Sequence, residues 1–221
     1  MLKLQDISYS YIDGGSKRTI LNDLSFEFLP GKFYTILGPS GSGKTTLLAL
    51  IAGLDTKYTG NILLNDQDIN TIGLDKYRRN KVAIVFQQYN LISYLTALEN
   101  VQLAMSETDS NKLKDIKSVS YALLDKFGIV KTKADRYVNK LSGGEQQRVA
   151  IARAVAKNAD IIFADEPTGN LDTETEIEII KILKMLSEDY NKTVIVVTHS
   201  DLVAKMSDHH LKLVDGKLKE H

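Results

Sequence analysis

The chain has no cysteine, no apolar run long enough to cross a bilayer and no surplus of either charge. The first absence removes disulfides, thiolate metal sites and cysteine nucleophiles together, and it is compatible with a reducing compartment. The longest apolar stretches, such as Leu47 to Leu54 and Val194 to Val197, fall far short of the roughly 18 residues of a spanning helix. Met1-Leu2-Lys3-Leu4-Gln5-Asp6 turns polar at once, so no secretory leader is expected. With 28 basic residues against 28 acidic ones, the charge favours neither a phosphate backbone nor anionic lipid, and no nucleic-acid partner is expected. A chain of this kind that serves a membrane process must borrow its membrane part from another protein. Low-complexity tracts and internal repeats are missing too, so 221 residues fit one domain, or one domain carrying an inserted lobe.

What is present alternates in two periods. Ile7, Tyr9 and Tyr11, then Leu24, Phe26 and Phe28, follow the two-residue period of half-exposed strands, with Asp13-Gly14-Gly15 as the turn between them. Phe33-Tyr34-Thr35-Ile36-Leu37, Val82 to Phe86, Ile161 to Ala164 and Val194 to Val197 are continuous apolar runs of the kind that form buried parallel strands. Helical periods alternate with these runs, as in a parallel α/β core. A helix is predicted from Lys44 to Gly53, and another where Ile177, Ile180, Leu183 and Leu186 recur before Asn191. Between Phe86 and Asp160 the pattern is wholly helical, with Val119, Ala122, Leu123 and Phe127 as one face, which reads as a lobe inserted in the core. Asp215-Gly216 reads as a hairpin turn.

Two places carry chemistry. Gly38-Pro39-Ser40-Gly41-Ser42-Gly43-Lys44-Thr45 matches G-x-x-x-x-G-K-[ST] at every required position and lies between a strand and a helix. Its glycines let successive N–H groups turn inward at a triphosphate, and the helix adds its unpaired amides and positive dipole end. Lys44 then faces the β and γ phosphates and Thr45, followed by Thr46, offers a hydroxyl to Mg²⁺. The bland alternative is a glycine-rich turn beside an exposed lysine. Asp165-Glu166 closes the run Ile161 to Ala164 at the carboxyl edge of the sheet, where open α/β sheets bind ligands. If strand geometry persists, the two carboxylates point apart, Asp165 toward Mg²⁺ and Glu166 toward an attacking water. Otherwise they are a solvated strand end.

Downstream, Leu141-Ser142-Gly143-Gly144-Glu145-Gln146-Gln147-Arg148 is a helix start with a capping serine and two glycines that a cap does not need. Together with the phosphate loop, this segment resembles the ATP-binding cassette of an ABC transporter. The resemblance covers essentially the whole chain. It implies an α/β P-loop NTPase core with a parallel RecA-like sheet, an N-terminal antiparallel β subdomain and a helical lobe. On that reading residues 1–221 are one ABC ATPase domain, 1–86 and 160–221 forming the core and β subdomain and 87–159 the lobe.

The family further implies an ATP hydrolase using ATP and Mg²⁺, in which two cassettes, expected to be a homodimer in the ATP state, sandwich two nucleotides head to tail. Ser142 and Gly144, with Gly143 between them, would then complete the partner's site. By resemblance Tyr11 stacks on adenine, Gln87 senses Mg²⁺ and links to the membrane partner, Asp172 faces the dimer seam and His199 touches the γ phosphate. Each has an ordinary counterpart: a packed aromatic for Tyr11, a polar strand end for Gln87, a helix cap for His199. Tyr9 and Gln88 are alternative registers for Tyr11 and Gln87. Ser200 departs from the family, many members of which carry an acidic residue there. A metal site at His209-His210 is not expected, since neighbouring strand residues face opposite ways.

Phe86-Gln87-Gln88-Tyr89-Asn90-Leu91-Ile92, continuing to Val101, is similar to cassettes that pair with MacB-type permeases, including lipoprotein-release, macrolide-efflux, peptide-resistance and cell-division members. This implies an integral membrane permease on a separate chain and a place at the cytoplasmic face of the membrane. The 22 lysines against 6 arginines suggest an AT-rich bacterial genome, which tilts the reading toward peptide resistance or export. Leu91, Ile92, Tyr94 and Leu95 are either a docking groove for a permease helix or the lobe's own core. The competing functions are a soluble ABC ATPase acting in cell division or on nucleic acid, and an unrelated P-loop kinase or GTPase. The first usually carries a coiled coil or tandem cassettes, absent here; the second would leave Ser142, Gln87 and His199 idle.

Overall fold

The computed structural model describes residues 1–106 and 115–220; His221 lies outside them. Two sheets organise the chain. In the first, β1 (Leu2–Asp13) pairs antiparallel with β2 (Ser16–Phe28) on one side. On its other side it pairs with β4 (Thr59–Leu64), beyond which lies the short β5 (Gln67–Asp68). The second contains β3 (Phe33–Leu37), β6 (Val82–Phe86), β7 (Ile161–Asp165), β8 (Thr193–Val197), β9 (His209–Val214) and β10 (Lys217–Glu220). Its order is β10-β9-β3-β8-β7-β6. All neighbours from β9 to β6 are parallel, and β10 returns antiparallel through the Asp215-Gly216 turn.

The continuous apolar runs became β3, β8, β7 and the edge strand β6 because both faces of this sheet are covered. All five residues of β8 are buried. Val194 and Val196 enter one core with Ile162 and Ala164, whereas Ile195 and Val197 enter the other with Phe163. This is the strand period expressed across two packed layers. One layer holds α1 (Lys44–Ile51), α2 (Ile69–Ile72) and α3 (Leu74–Asn80) with the first sheet. The other holds α4 (Ala97–Ser106), α5 (Ile116–Lys126), α6 (Lys131–Ala134), α7 (Gly143–Ala156), α8 (Thr173–Glu188) and α9 (Asp201–Met206). No helix among the described residues is long and apolar enough to cross a membrane.

The buried face of α5 differs from the expected one. Ser120, Leu124 and Phe127 are buried, whereas Val119 is 38% exposed and Ala122 faces solvent. Ser120 can lie inside because its hydroxyl donates to Ile116 O at 2.8 Å. A satisfied polar residue in the inward stripe is invisible to a hydrophobic period.

The alternation of β1 and β2 is broken by paired bulges. Asp6 and Asp23 adopt φ of 53° and 50°, and the register shifts around them. Each bulged amide is satisfied by a serine of the facing strand: Asp6 N donates to Ser25 Oγ at 2.9 Å and Asp23 N to Ser8 Oγ at 2.8 Å. The buried residues of β1 are therefore Leu2 and Leu4, then Ile7, with the inward phase changed at the bulge. Gly60 of β4 lies against this point at φ 89°, where a Cβ would come within 2.3 Å of Gln5 O and 2.5 Å of Asp6 O. Gly60→Ala is expected to destabilise the fold by about 1–3 kcal/mol, read as a lower urea midpoint at unchanged slope; an unshifted midpoint contradicts the bulge geometry.

Candidate functional site

β3 ends at Leu37, and the chain turns through residues 38–43 into α1. Gly43 is the N-cap in the left-handed region; α1 has no side-chain cap and no acidic residue in its first turn. Its leading amides and positive dipole end are thus left open to an anion. Lys44 is only 7% exposed. Its Nζ donates to Gly38 O at 2.8 Å and Pro39 O at 3.2 Å, and lies 3.4 Å from His199 Nε2. Burial lowers the pKa of this ammonium, while the charges of Glu166 and Asp165 pull it upward. Ser42 Oγ is buried without a partner at the base of the loop, and Ser40, Gly41 and Thr45 are exposed beside it, with Thr46 half-buried.

Across the sheet, Asp165 ends β7 and accepts from Thr45 Oγ1 at 3.5 Å. Burial, with the adjacent Glu166 charge, raises its pKa above the ordinary carboxylate value. The strand stops at Asp165, so the condition under which a pleat would part the two carboxylates is not met. Glu166 takes φ 45° while its N–H donates to Val197 O at 2.9 Å. The two carboxylates diverge because the backbone turns left-handed, not because a pleat alternates. A non-glycine residue there is held by its surroundings. Glu166 Oε2 accepts from Thr198 Oγ1 at 3.0 Å and from His199 N at 3.3 Å, and Oε1 lies 3.2 Å from His199 Nε2.

Gln87 follows β6, and its Nε2 donates to Asn170 Oδ1 at 3.5 Å, alongside Gly169. The amide therefore reaches the loop after Glu166. Thr45 hydroxyl, Asp165 carboxylate and Gln87 amide are hard oxygen donors, the set that suits Mg²⁺ shared with phosphate oxygens. Among the described residues no group of three or more His, Asp or Glu forms an all-protein cage. Asp172 caps α8, accepting from Thr175 N at 3.0 Å and Thr175 Oγ1 at 2.8 Å; these bonds hold its carboxyl below the ordinary range.

Ser142 caps α7 through a reciprocal pair with Glu145, Glu145 N donating to Ser142 Oγ at 3.3 Å and Ser142 N to Glu145 Oε2 at 2.9 Å. Gly143 lies against the Tyr89 hydroxyl and Leu171. A Cβ at Gly144 would meet Thr175 Cγ2 at 2.4 Å, so the second glycine of the pair serves a close approach between α7 and α8. Lys44, Thr45, Asp165, Glu166 and His199 are thus gathered by direct contacts, with Gln87 on the adjoining loop. Ser142, Gly143, Gly144 and Asp172 meet around Thr175, Leu171 and Tyr89, and Tyr11 stands on β1, 39% exposed and paired with Arg18. Tyr9, the alternative register, is tied by its hydroxyl to Asp55 Oδ2 at 3.3 Å.

Sequence reasoning missed Thr198 and Asn170. Thr198 carried one signal, being the first polar residue after the apolar run Val194 to Val197. His209 stacks on Tyr34 with ring centroids 4.9 Å apart and pairs with Glu220 at 2.7 Å, a packing role. The apolar segment after Gln87 divides: Leu91 packs on the core, Tyr94 is 77% exposed, and Ile92 lines a cavity of about 430 Å³ with Leu54, Ile84, Phe86 and Leu103.

Residues 21–169 match the family described as ABC transporter. An uncharacterized ABC transporter ATP-binding protein of Bacillus subtilis, YclH, is 45% identical over 216 residues, covering 98% of this chain and 94% of its own length. The macrolide export ATP-binding/permease protein MacB of Bdellovibrio bacteriovorus is 39% identical over 222 residues, 99% of this chain but 33% of MacB. The solved dimeric structure of MJ0796, a bacterial ABC transporter cassette, superposes with a TM-score of 0.89 at 39% identity, covering all of this chain and 98% of that one. A second structure of MJ0796 is a dimeric post-hydrolysis state bound to ADP and Pi, with the same TM-score, identity and coverage.

Proposed function

Because the chain belongs to the ABC transporter family as an ATP-binding, ATP-hydrolysing subunit, we propose that it works as a head-to-tail homodimer that closes on two ATP molecules and drives a separate MacB-type permease. The observation that carries this reading is the convergence of Lys44, Thr45, Asp165, Glu166 and His199 on the end of one phosphate loop. The open amides at the uncapped start of α1 and the Lys44 ammonium receive the triphosphate, and the exposed Tyr11 ring stacks on adenine. Glu166 polarises the attacking water, with His199 beside it facing the γ phosphate. Thr45, Asp165 and Gln87 would hold Mg²⁺, which when bound would offset the negative charge of the triphosphate. Ser142 and Gly144, beside Asp172 at the seam, complete the site of the opposing copy.

Residues 87–159 act within this single ATPase domain as the lobe that meets the permease. The cavity beside β6, lined by Leu54, Ile84 and Phe86 of the core, Ile92 and Leu103 of the lobe and the cations Arg78, Arg153 and Lys157, receives a permease segment at the cytoplasmic face of the membrane, with Tyr94 outside it. That the relative MacB carries an ATP-binding and a permease part in one chain supports this pairing. Since each site needs donors from a second copy, specific ATPase activity is expected to rise with protein concentration until dimers dominate. Constant specific activity at dilutions where sedimentation finds only monomers would overturn the proposal.

A further inference from the structure

A ring of hydrogen bonds runs behind Glu166 through residues the mechanism does not use. Thr198 Oγ1 donates to Glu166 Oε2 at 3.0 Å and accepts from Ser200 N at 3.1 Å. Ser200 Oγ donates to Glu176 Oε1 at 2.7 Å. The same oxygen accepts from Thr168 Oγ1 at 3.0 Å, and Thr168 follows Glu166 in the loop it begins. Thr168 and Thr198 are 5% and 1% exposed, so their hydroxyls depend on these partners. Three segments therefore meet on one carboxylate: the first turn of α8, the loop after Glu166 and the loop after His199.

From this arrangement we infer that Glu176 is a positioning residue for ATP hydrolysis, clamping the two loops so that Glu166 keeps its left-handed backbone and its carboxylate stays beside His199. The inference rests on the reading of Glu166 as the water-activating group. Glu166 at φ 45° is strained by itself, and the ring grips it twice, at its side chain through Thr198 and along its chain through Thr168. The departure at Ser200 gains a physical meaning as well. Ser200 already has its hydroxyl as the α9 cap, accepting from Val203 N at 3.4 Å, and the negative charge at this junction is supplied from α8.

The geometry allows the carboxylate to be moved. An aspartate at 200 would put its carboxyl carbon where the Ser200 hydroxyl sits, with an oxygen one bond nearer the place Glu176 Oε1 now holds, and would still cap α9. Glu176→Ala is expected to lower kcat about tenfold through loss of a charge-assisted clamp, with the KM for ATP within about twofold because the phosphate loop is untouched. Ser200→Asp alone, which sets two carboxylates together, is expected to slow turnover similarly. The double variant Glu176→Ala/Ser200→Asp is expected to recover to within about threefold of the parent, since a single carboxylate again faces Thr168.

These variants are assayed for steady-state ATPase kinetics and thermal midpoint with Glu166→Gln as reference. Full kcat in Glu176→Ala, a double variant as slow as the slower single, or a loss that follows KM or a lowered midpoint would each overturn the clamp. Parent-rate hydrolysis by Glu166→Gln would overturn the role of Glu166 itself and the clamp with it, whereas an inactive Glu166→Gln beside a fully active Glu176→Ala overturns the clamp alone.

Discussion

Glutamine at position 166 is expected to slow ATP hydrolysis by about 10²–10⁴-fold, the usual worth of a positioned general base, while ATP binding persists. The substitution preserves shape. A glutamine oxygen can accept from Thr198 Oγ1 and His199 N as Glu166 Oε2 does now, so the left-handed turn and the His199 loop keep their supports. What is lost is the charge that draws a proton from water. The phosphate-loop amides and Lys44 are unaltered, and in the proposed pair the nucleotide then stays between the two copies. Glu166→Gln should accordingly shift to dimers with ATP and Mg²⁺, seen by sedimentation, while releasing ADP slowly. A variant that stays monomeric at saturating ATP and hydrolyses at the parent rate removes Glu166 from the chemistry.

Lys44→Ala is expected to act one step earlier, weakening ATP binding by on the order of 10–100-fold. The ammonium is nearly buried and lies between loop carbonyls and the pair Asp165 and Glu166, whose charges reach it. Removing it deletes a donor to phosphate and leaves two carboxylates turned toward an anionic ligand without the intervening cation. Burial already disfavours the charged form of Lys44, so folding should be little affected while affinity falls. Titration with a non-hydrolysable ATP analogue measures this directly. Equal affinity in Lys44→Ala and the parent would contradict the phosphate-loop assignment, and the two variants together separate binding from turnover.

Much of the architecture was readable because the relevant signals are local. Val194 to Val197 had to be a covered strand, since four consecutive apolar residues leave no polar face, and the phosphate loop announces itself by glycines between a strand and a helix. The loop and Asp165 stood out for the same reason, whereas His199 was assigned only through the resemblance to the family. The features that escaped depend on partners remote in sequence. No window around Glu166 contains Val197, whose carbonyl draws the chain into a left-handed turn. Ser120 looks like a surface residue until the helix that buries it is seen, with Met105 Sδ 3.5 Å from its hydroxyl. Glu176 reads as one more acidic residue near a helix start, its partners Thr168 and Ser200 lying on different loops. Periodicity ranks residues by hydropathy, and a polar group satisfied by tertiary contact carries no such mark.

The bulge at Asp6 reaches further than the hairpin it bends. An uninterrupted zigzag from Leu2 and Leu4 would send even-numbered side chains inward along all of β1, yet beyond Asp6 it is Ile7 that points to the interior. Straightening the bulge with Asp6 still in the chain would flip every later side chain to the reverse side of the ribbon, and the Tyr11 ring would turn its back on the face it now presents. The whereabouts of the aromatic proposed to stack on adenine is thereby decided upstream, by an inserted residue earlier in the same strand.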